Sequence, residues 1–199
     1  MRIFVTRHGQ TEWNVLKKVQ GRRDLSLNEK GIEQARKTQE KLKDIDFDLI
    51  ICSPLKRTKE TADIINEEKK KPIIYSHEII ERDFGEFEGL KTSEFDFESF
   101  WSYKDNNLYE SAENIRECFS RIYKFLDNLK DKYPNKKILI VTHGGVSIPI
   151  YCYFNGIPDK DNLLDLVLEN CEVVEYSLWL SINNGWDYFV IRKQVLNDK

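Results

Sequence analysis

Histidine is scarce in this chain of 199 residues. His8, His77 and His143 are the only three, and none stands in a His-x-His or His-Glu-x-x-His arrangement, so the spacing that builds a His-ligated metal centre is missing. Cysteine is sparse too: Cys52, Cys118, Cys152 and Cys171 are isolated, without a Cys-x-x-Cys pair, which argues for reduced structural thiols over zinc ligands or disulfides. No apolar run approaches the roughly 20 residues of a membrane span. The N-terminus enters an apolar β pattern directly, without a signal-peptide hydrophobic region, and we expect a cytoplasmic location. Net charge is only −3, with both signs interspersed, so there is no broad basic face for a nucleic-acid backbone. Lys69-Lys70-Lys71 follows a helical pattern and reads as solvated surface. Walker loops, Gly-x-Gly-x-x-Gly and Gly-x-Ser-x-Gly are absent, as are low-complexity segments and linkers.

What is present has the balance of a globular protein, 40% hydrophobic and 33% charged, in a length that suits one domain. Its most informative stretch is residues 5–14, Val-Thr-Arg-His-Gly-Gln-Thr-Glu-Trp-Asn. The run Arg2-Ile3-Phe4-Val5-Thr6 has the pattern of a strand buried on both faces, ending at Arg7-His8-Gly9. Ligands of open α/β sheets bind beyond the carboxyl ends of the strands, which makes that pair a site candidate. A lone histidine there would be ordinary surface, but residues 137–145, Lys-Ile-Leu-Ile-Val-Thr-His-Gly-Gly, repeat the design. If the two strands are parallel neighbours, His8 and His143 meet at one edge.

Between them the chain alternates. A long polar loop, 9–27, carries Asn14, Gln20, Gly21, Arg22 and Asp24. Ser26-Leu27-Asn28-Glu29 has the form of a capping box before a helix at about 29–44. Asp48–Cys52 reads as a strand, and Ser53-Pro54 as the N-cap and first residue of a helix over about 54–69. Arg57 falls in its first turn, where a cation opposes the helix dipole unless an anion binds at that end. A strand at 72–75 precedes the acidic loop 78–89, in which Glu78, Glu81, Asp83, Glu86 and Glu88 cannot be ranked from residues alone. Residues 91–110 are rich in aromatics and read as a small cap segment, core in the first instance and a lid in the second. Ile115, Cys118, Phe119, Ile122, Phe125, Leu126 and Leu129 form the apolar stripe of a long helix to about 132. A buried helix at 145–154 follows the second His-ended strand. Cys171–Ile182 and Trp186–Val195 alternate about Asn183-Asn184-Gly185, a type I′ hairpin pattern. The expected fold is α/β, a three-layer α/β/α sandwich with a mostly parallel sheet and an antiparallel C-terminal hairpin.

Two histidines, two arginines and amide side chains at one edge describe a phosphate pocket in which a neutral imidazole can attack phosphorus. These residues also carry a resemblance. Arg7-His8-Gly9-Gln10-Thr11-Glu12-Trp13-Asn14 resembles the signature of the histidine phosphatase superfamily, the phosphoglycerate-mutase-like proteins. Four further blocks continue the likeness in order over about residues 2–145. They are Gln20-Gly21-Arg22-x-Asp24-x-x-Leu27-x-x-x-Gly31-x-x-Gln34-Ala35, Ser53-Pro54-Leu55-x-Arg57-Thr58-x-x-Thr61-Ala62, Glu81-x-x-x-Gly85-x-x-x-Gly89 and Val141-Thr142-His143-Gly144-Gly145. The resemblance implies that His8 is the nucleophile, that Arg7, Arg57 and His143 bind the phosphoryl oxygens, and that Glu81 is the proton donor. It further implies that Asn14, Gln20, Gly21 and Gly144 line the pocket, with no metal and no cofactor. His77 matches no block and reads as surface.

Mutase-like members carry a long insertion with basic residues after the acidic loop, whereas here only Lys91 and Lys104 lie between 90 and 110. Tyr109-Glu110-Ser111 stands where many family phosphatases have Gly-Glu-Ser. The expected activity is therefore a phosphatase for small phosphomonoesters with an apolar or neutral remainder, of broad specificity. A phosphoglycerate mutase and a non-catalytic phosphate-binding regulator are the alternatives. The expected partner is a small-molecule phosphomonoester, with no nucleic acid and no membrane, and a homodimer is a candidate assembly.

Overall fold

The computed structural model describes residues 1–181, 185–187 and 193–194. In chain order the elements are β1 (Arg2–Arg7), the one-turn α1 (Glu12–Val15), α2 (Glu29–Lys41), β2 (Leu49–Cys52), α3 (Lys56–Asn66) and β3 (Ile73–Tyr75). They continue with α4 (Ile115–Lys132), β4 (Lys137–Thr142), α5 (Gly144–Asn155), β5 (Val173–Ser177), β6 (Trp179–Ser181), β7 (Gly185–Asp187) and β8 (Lys193–Gln194). The main sheet has the order β3-β2-β4-β1-β5-β8. Its first four strands are mutually parallel, while β5 and β8 are antiparallel to their neighbours.

Two-residue alternation in β1 and β4 divides the core between two helical layers. Ile3, Val5, Ile138 and Ile140 point into one layer with Cys118, Ile122, Phe125, Leu126 and Leu129 of the predicted α4 stripe and with Val146, Ile150 and Phe154 of α5. Phe4, Leu139 and Val141 point the other way, against Leu42 and against Ala62 and Ile65 of α3. Each such fully buried side chain contributes roughly 1.5–3 kcal/mol of transfer free energy. A third cluster, built by Phe84, Phe100, Trp101, Phe119, Ile148 and Leu163, seats the 91–110 segment on α4 and α5.

The connections after β1 and β4 leave toward opposite layers, to α2 and to α5. The crevice between these two neighbouring strands is the kind of switch point where α/β sheets bind ligands.

Several local expectations shift. Helix α2 is capped by Asn28, whose side chain accepts from the Gly31 amide at 2.8 Å, and not by Ser26. The Leu27 amide is taken by Glu60 at 2.7 Å, which keeps the chain extended two residues further. Helix α3 starts at Lys56 behind Leu55, because the Ser53 amide still pairs with the Val141 carbonyl at 3.0 Å and prolongs the sheet. The Asn114 cap and its box with Glu117 open α4. β5 and β6 are separate at Leu178, and β6 pairs with β7 in a two-stranded sheet of its own. The proposed turn residues Asn183 and Asn184 lie outside the described residues.

Candidate active site

The two His-ended strands are adjacent and in register, with Arg7 opposite Thr142. The pairing continues one residue further through the His8 amide, which donates to the Thr142 carbonyl at 2.9 Å. Register therefore delivers both imidazoles to one point, their ring centroids 5.3 Å apart at 62°. Both are buried.

Each ring is held by a different nitrogen. His8 Nδ1 lies 2.7 Å from the carbonyl of Gly9. A carbonyl can only accept, so Nδ1 carries the proton and Nε2 keeps its lone pair. Arg57 Nε donates to that Nε2 at 3.2 Å. His143 is held through Nε2, 2.6 Å from the Ser53 hydroxyl, and its buried Nδ1 has no hydrogen-bond partner. Burial drives both imidazoles well below their ordinary range, and Arg57 pushes in the same direction, so both are neutral near pH 7.

The arginines are equally confined. Arg57 is fully buried and donates to the carbonyls of Arg23 and Gly21, each at 2.7 Å. Burial lowers it to about 10, which leaves it charged. The first amide of its helix is not free for a ligand: the Lys56 amide donates to Asp24 at 2.6 Å. Arg7 spends Nη1 on the Leu168 carbonyl at 2.9 Å, and its buried Nε is unpartnered. Orphaned buried donors are rare, and Arg7 Nε with His143 Nδ1 places two orphaned ring or guanidinium nitrogens at one strand edge.

Glu81 comes from the acidic loop after β3. One carboxylate oxygen accepts from the Arg82 amide at 2.9 Å and the other from the Gly145 amide at 3.2 Å. Burial raises its pKa, against the opposing charge of Arg57. A Cβ on Gly145 would lie 2.5 Å from a Glu81 oxygen, so glycine at 145 is what permits this approach. The loop itself is clamped from α4. Arg121 donates to the carbonyls of Glu78 (2.6 Å) and Ile80 (3.0 Å) while forming a two-bond fork with Glu113. Arg22 adds a donor to the Glu81 carbonyl at 3.3 Å.

A cavity of about 270 Å³ opens over this floor. Arg7, His8, Asn14, Gln20, Gly21, Glu81 and Gly144 line it, while Arg57 and His143 adjoin it through the His8 ring. Every residue predicted for the site is thus gathered here, Arg57 and His143 through their contacts with the His8 ring and the others at the wall itself. His77 is exposed, away from it. The cap segment is both core and wall: Phe100 and Trp101 are buried, and Phe97 and Trp101 also face the cavity. Sequence reasoning missed Ser53, read as a helix cap; Thr61, whose hydroxyl accepts the Gly9 amide at 3.0 Å; Gly145; and Lys17 and Lys18, which stand at the cavity wall. The Gly144-Gly145 pair and the adjacent Lys17-Lys18 pair were the available signals for three of them.

Residues 3–181 match the histidine phosphatase superfamily (branch 1). The chain belongs to this superfamily. Within the superfamily it is 39% identical over 176 residues to a Bacillus subtilis protein named uncharacterized phosphatase PhoE, covering 87% of this chain and 89% of that one. It is 29% identical over 199 residues to a probable phosphoglycerate mutase GpmB from Escherichia coli, with 94% and 90% covered. Bacillus stearothermophilus YhfR superposes with a TM-score of 0.81 at 25% identity, over 95% of both chains. Among the described residues no group of three or more His, Cys, Asp or Glu is placed to hold a metal ion, and no helix is long and apolar enough to cross a membrane.

Proposed function

We propose that this superfamily member is a phosphomonoester hydrolase working through a phosphohistidine on His8. The observation that carries the reading is the His8 ring itself: neutral, its Nδ1 proton fixed on the Gly9 carbonyl, and its Nε2 lone pair facing the Arg57 guanidinium. An entering phosphoryl dianion takes over the Arg57 Nε–H and frees that lone pair. Nε2 then attacks phosphorus, the P–O ester bond breaks, and the leaving oxygen takes a proton from Glu81, whose pKa burial raises. The imidazolium formed keeps its Nδ1 proton on the Gly9 carbonyl. Water next attacks phosphorus, its proton goes to the Glu81 carboxylate, the N–P bond breaks and phosphate leaves with His8 neutral again. Arg7, Arg57 and the Nδ1 proton of His143 bind the equatorial oxygens, where charge spreads in the transition state. Asn14, Gln20, Gly21 and Gly144 frame the phosphoryl group.

The relative named phosphatase supports hydrolysis, and the presence of both nucleophile and acid speaks against a non-catalytic binder. The purified protein is expected to release phosphate from p-nitrophenyl phosphate in EDTA and to yield an acid-labile phosphohistidine on rapid quenching. Activity that survives His8→Ala overturns the mechanism. The relative named as a probable mutase keeps one second reading in play. Efficient conversion of 3-phosphoglycerate to 2-phosphoglycerate with added bisphosphoglycerate would replace hydrolase by mutase.

A further inference from the structure

The site already holds two guanidiniums for one phosphoryl dianion, Arg7 at the cavity wall and Arg57 against His8 Nε2, yet Lys17 and Lys18 also line the cavity. Neither is ion-paired among the described residues, a state they share with Lys56, Lys59 and Lys91, so what marks them is their place on the cavity wall. The lysine corner is also held in place. Lys17 has φ 53°, a left-handed conformation that costs a non-glycine residue roughly 1 kcal/mol. Hydrogen bonds from both sides maintain it: the Lys18 amide donates to the Trp13 carbonyl at 2.9 Å, and the Thr92 amide of the cap donates to the Lys17 carbonyl at 3.0 Å. Lys18 Nζ lies 5.6 Å from the centroid of the Trp13 ring, itself part of the wall. Contact with the ring face localises the ammonium without neutralising it.

We propose, building on the phosphomonoesterase reading, that Lys17 and Lys18 form a second anion subsite which selects phosphomonoesters whose alcohol carries a carboxylate. The cation count over 90–110 did not include these residues because they reach the cap from the loop after β1. A single carboxylate fits better than a second phosphate dianion or a polyphosphate. Asp96 and Glu98 line the recess that adjoins the cavity and shares Thr92, Phe97 and Leu164 with it, so negative charge extending outward meets like charge. The apolar wall suits a short hydrocarbon body between the two anions.

The test uses two esters that differ in one group, 3-phosphoglycerate and sn-glycerol 3-phosphate, the second bearing a hydroxymethyl in place of the carboxylate. Binding to His8→Ala protein is measured by calorimetry, and kcat/KM is measured on the parent. The carboxylate ester is expected to bind about 10-fold tighter at low salt, with the ratio falling as added salt screens the lysines. The Lys17→Gln/Lys18→Gln variant brings the ratio to about 1, and Lys17→Arg/Lys18→Arg retains it, a pattern that misfolding does not produce. A ratio near 1 in the parent, or a preference that persists in the glutamine variant, overturns the subsite. The binding arm is independent of turnover. A preference that the glutamine variant abolishes, in a protein that hydrolyses neither ester, leaves the subsite standing and removes the hydrolase.

Discussion

The ends of β1 and β4 are built from the same sequence idea, an apolar strand followed by His-Gly, yet the two rings are anchored through opposite nitrogens. His8 is fastened at Nδ1 by the carbonyl of its own neighbour Gly9 and presents Nε2. His143 is fastened at Nε2 by Ser53, a residue 90 positions away, and keeps Nδ1 unpartnered. If Ser53 donates its hydroxyl proton, His143 carries its own proton on Nδ1 and becomes a donor, while His8 remains a lone-pair acceptor. Two copies of one motif thus take complementary chemistry from what holds the ring from behind.

Substitution should separate them. His8→Ala is expected to lower kcat for p-nitrophenyl phosphate by about 10⁴-fold or more, since no nucleophile remains. A loss of similar size in His143→Ala would erase the distinction, because removing one oxyanion donor costs roughly 10²–10³-fold. Glu81→Gln sharpens the picture from a third side. With an alkyl phosphate, kcat should fall by about 10³-fold, whereas with p-nitrophenyl phosphate, whose leaving group needs no proton, the first step should be nearly untouched. A uniform loss across leaving groups would mean that Glu81 is not the acid.

Ser53→Ala is a smaller perturbation, expected to cost about 10-fold in kcat/KM by freeing the His143 ring to adopt the other tautomer. Rapid-quench phosphohistidine formation should slow in parallel. An unchanged rate would show that Ser53 does not set the proton on His143. The smallest effect is on stability. Both imidazoles have folded pKa values below the unfolded value, so below about pH 6.5 the unfolded chain binds protons that the folded chain refuses. Stability should decline as pH falls through that value, by up to about 1.4 kcal/mol per pH unit for each histidine. Urea titrations from pH 7.5 to 5.5 should show this, and His143→Ala should roughly halve the slope.

Much of the site was legible because its parts are local. A strand pattern and a terminal His-Gly place His8 and His143, and Arg57 stands out as a cation where a helix dipole disfavours one. Glu81 could not be separated from its acidic neighbours without the family resemblance, because what distinguishes it is burial beside Gly145, a contact 64 residues away. Ser53 was misread for a related reason: the local rule for helix caps competes with a sheet pairing that the linear pattern does not contain. Lys17 and Lys18 escaped because they belong to a loop whose carbonyls and amides pair with the start of the cap, around residues 89–92. Clamps such as Arg121 and Glu113, working on residues 78–83, are likewise tertiary.

The four thiols have a consequence for the protein's chemical durability. Cys52, Cys118, Cys152 and Cys171 are all buried and unbridged, and burial pushes each up to about 12. Peroxides react with thiolates, and at neutral pH these sulfurs hold almost none. On the proposed mechanism, in which an imidazole nitrogen attacks, these shielded sulfurs stay outside the chemistry, and turnover would continue during an oxidative burst that silences enzymes relying on a cysteine nucleophile.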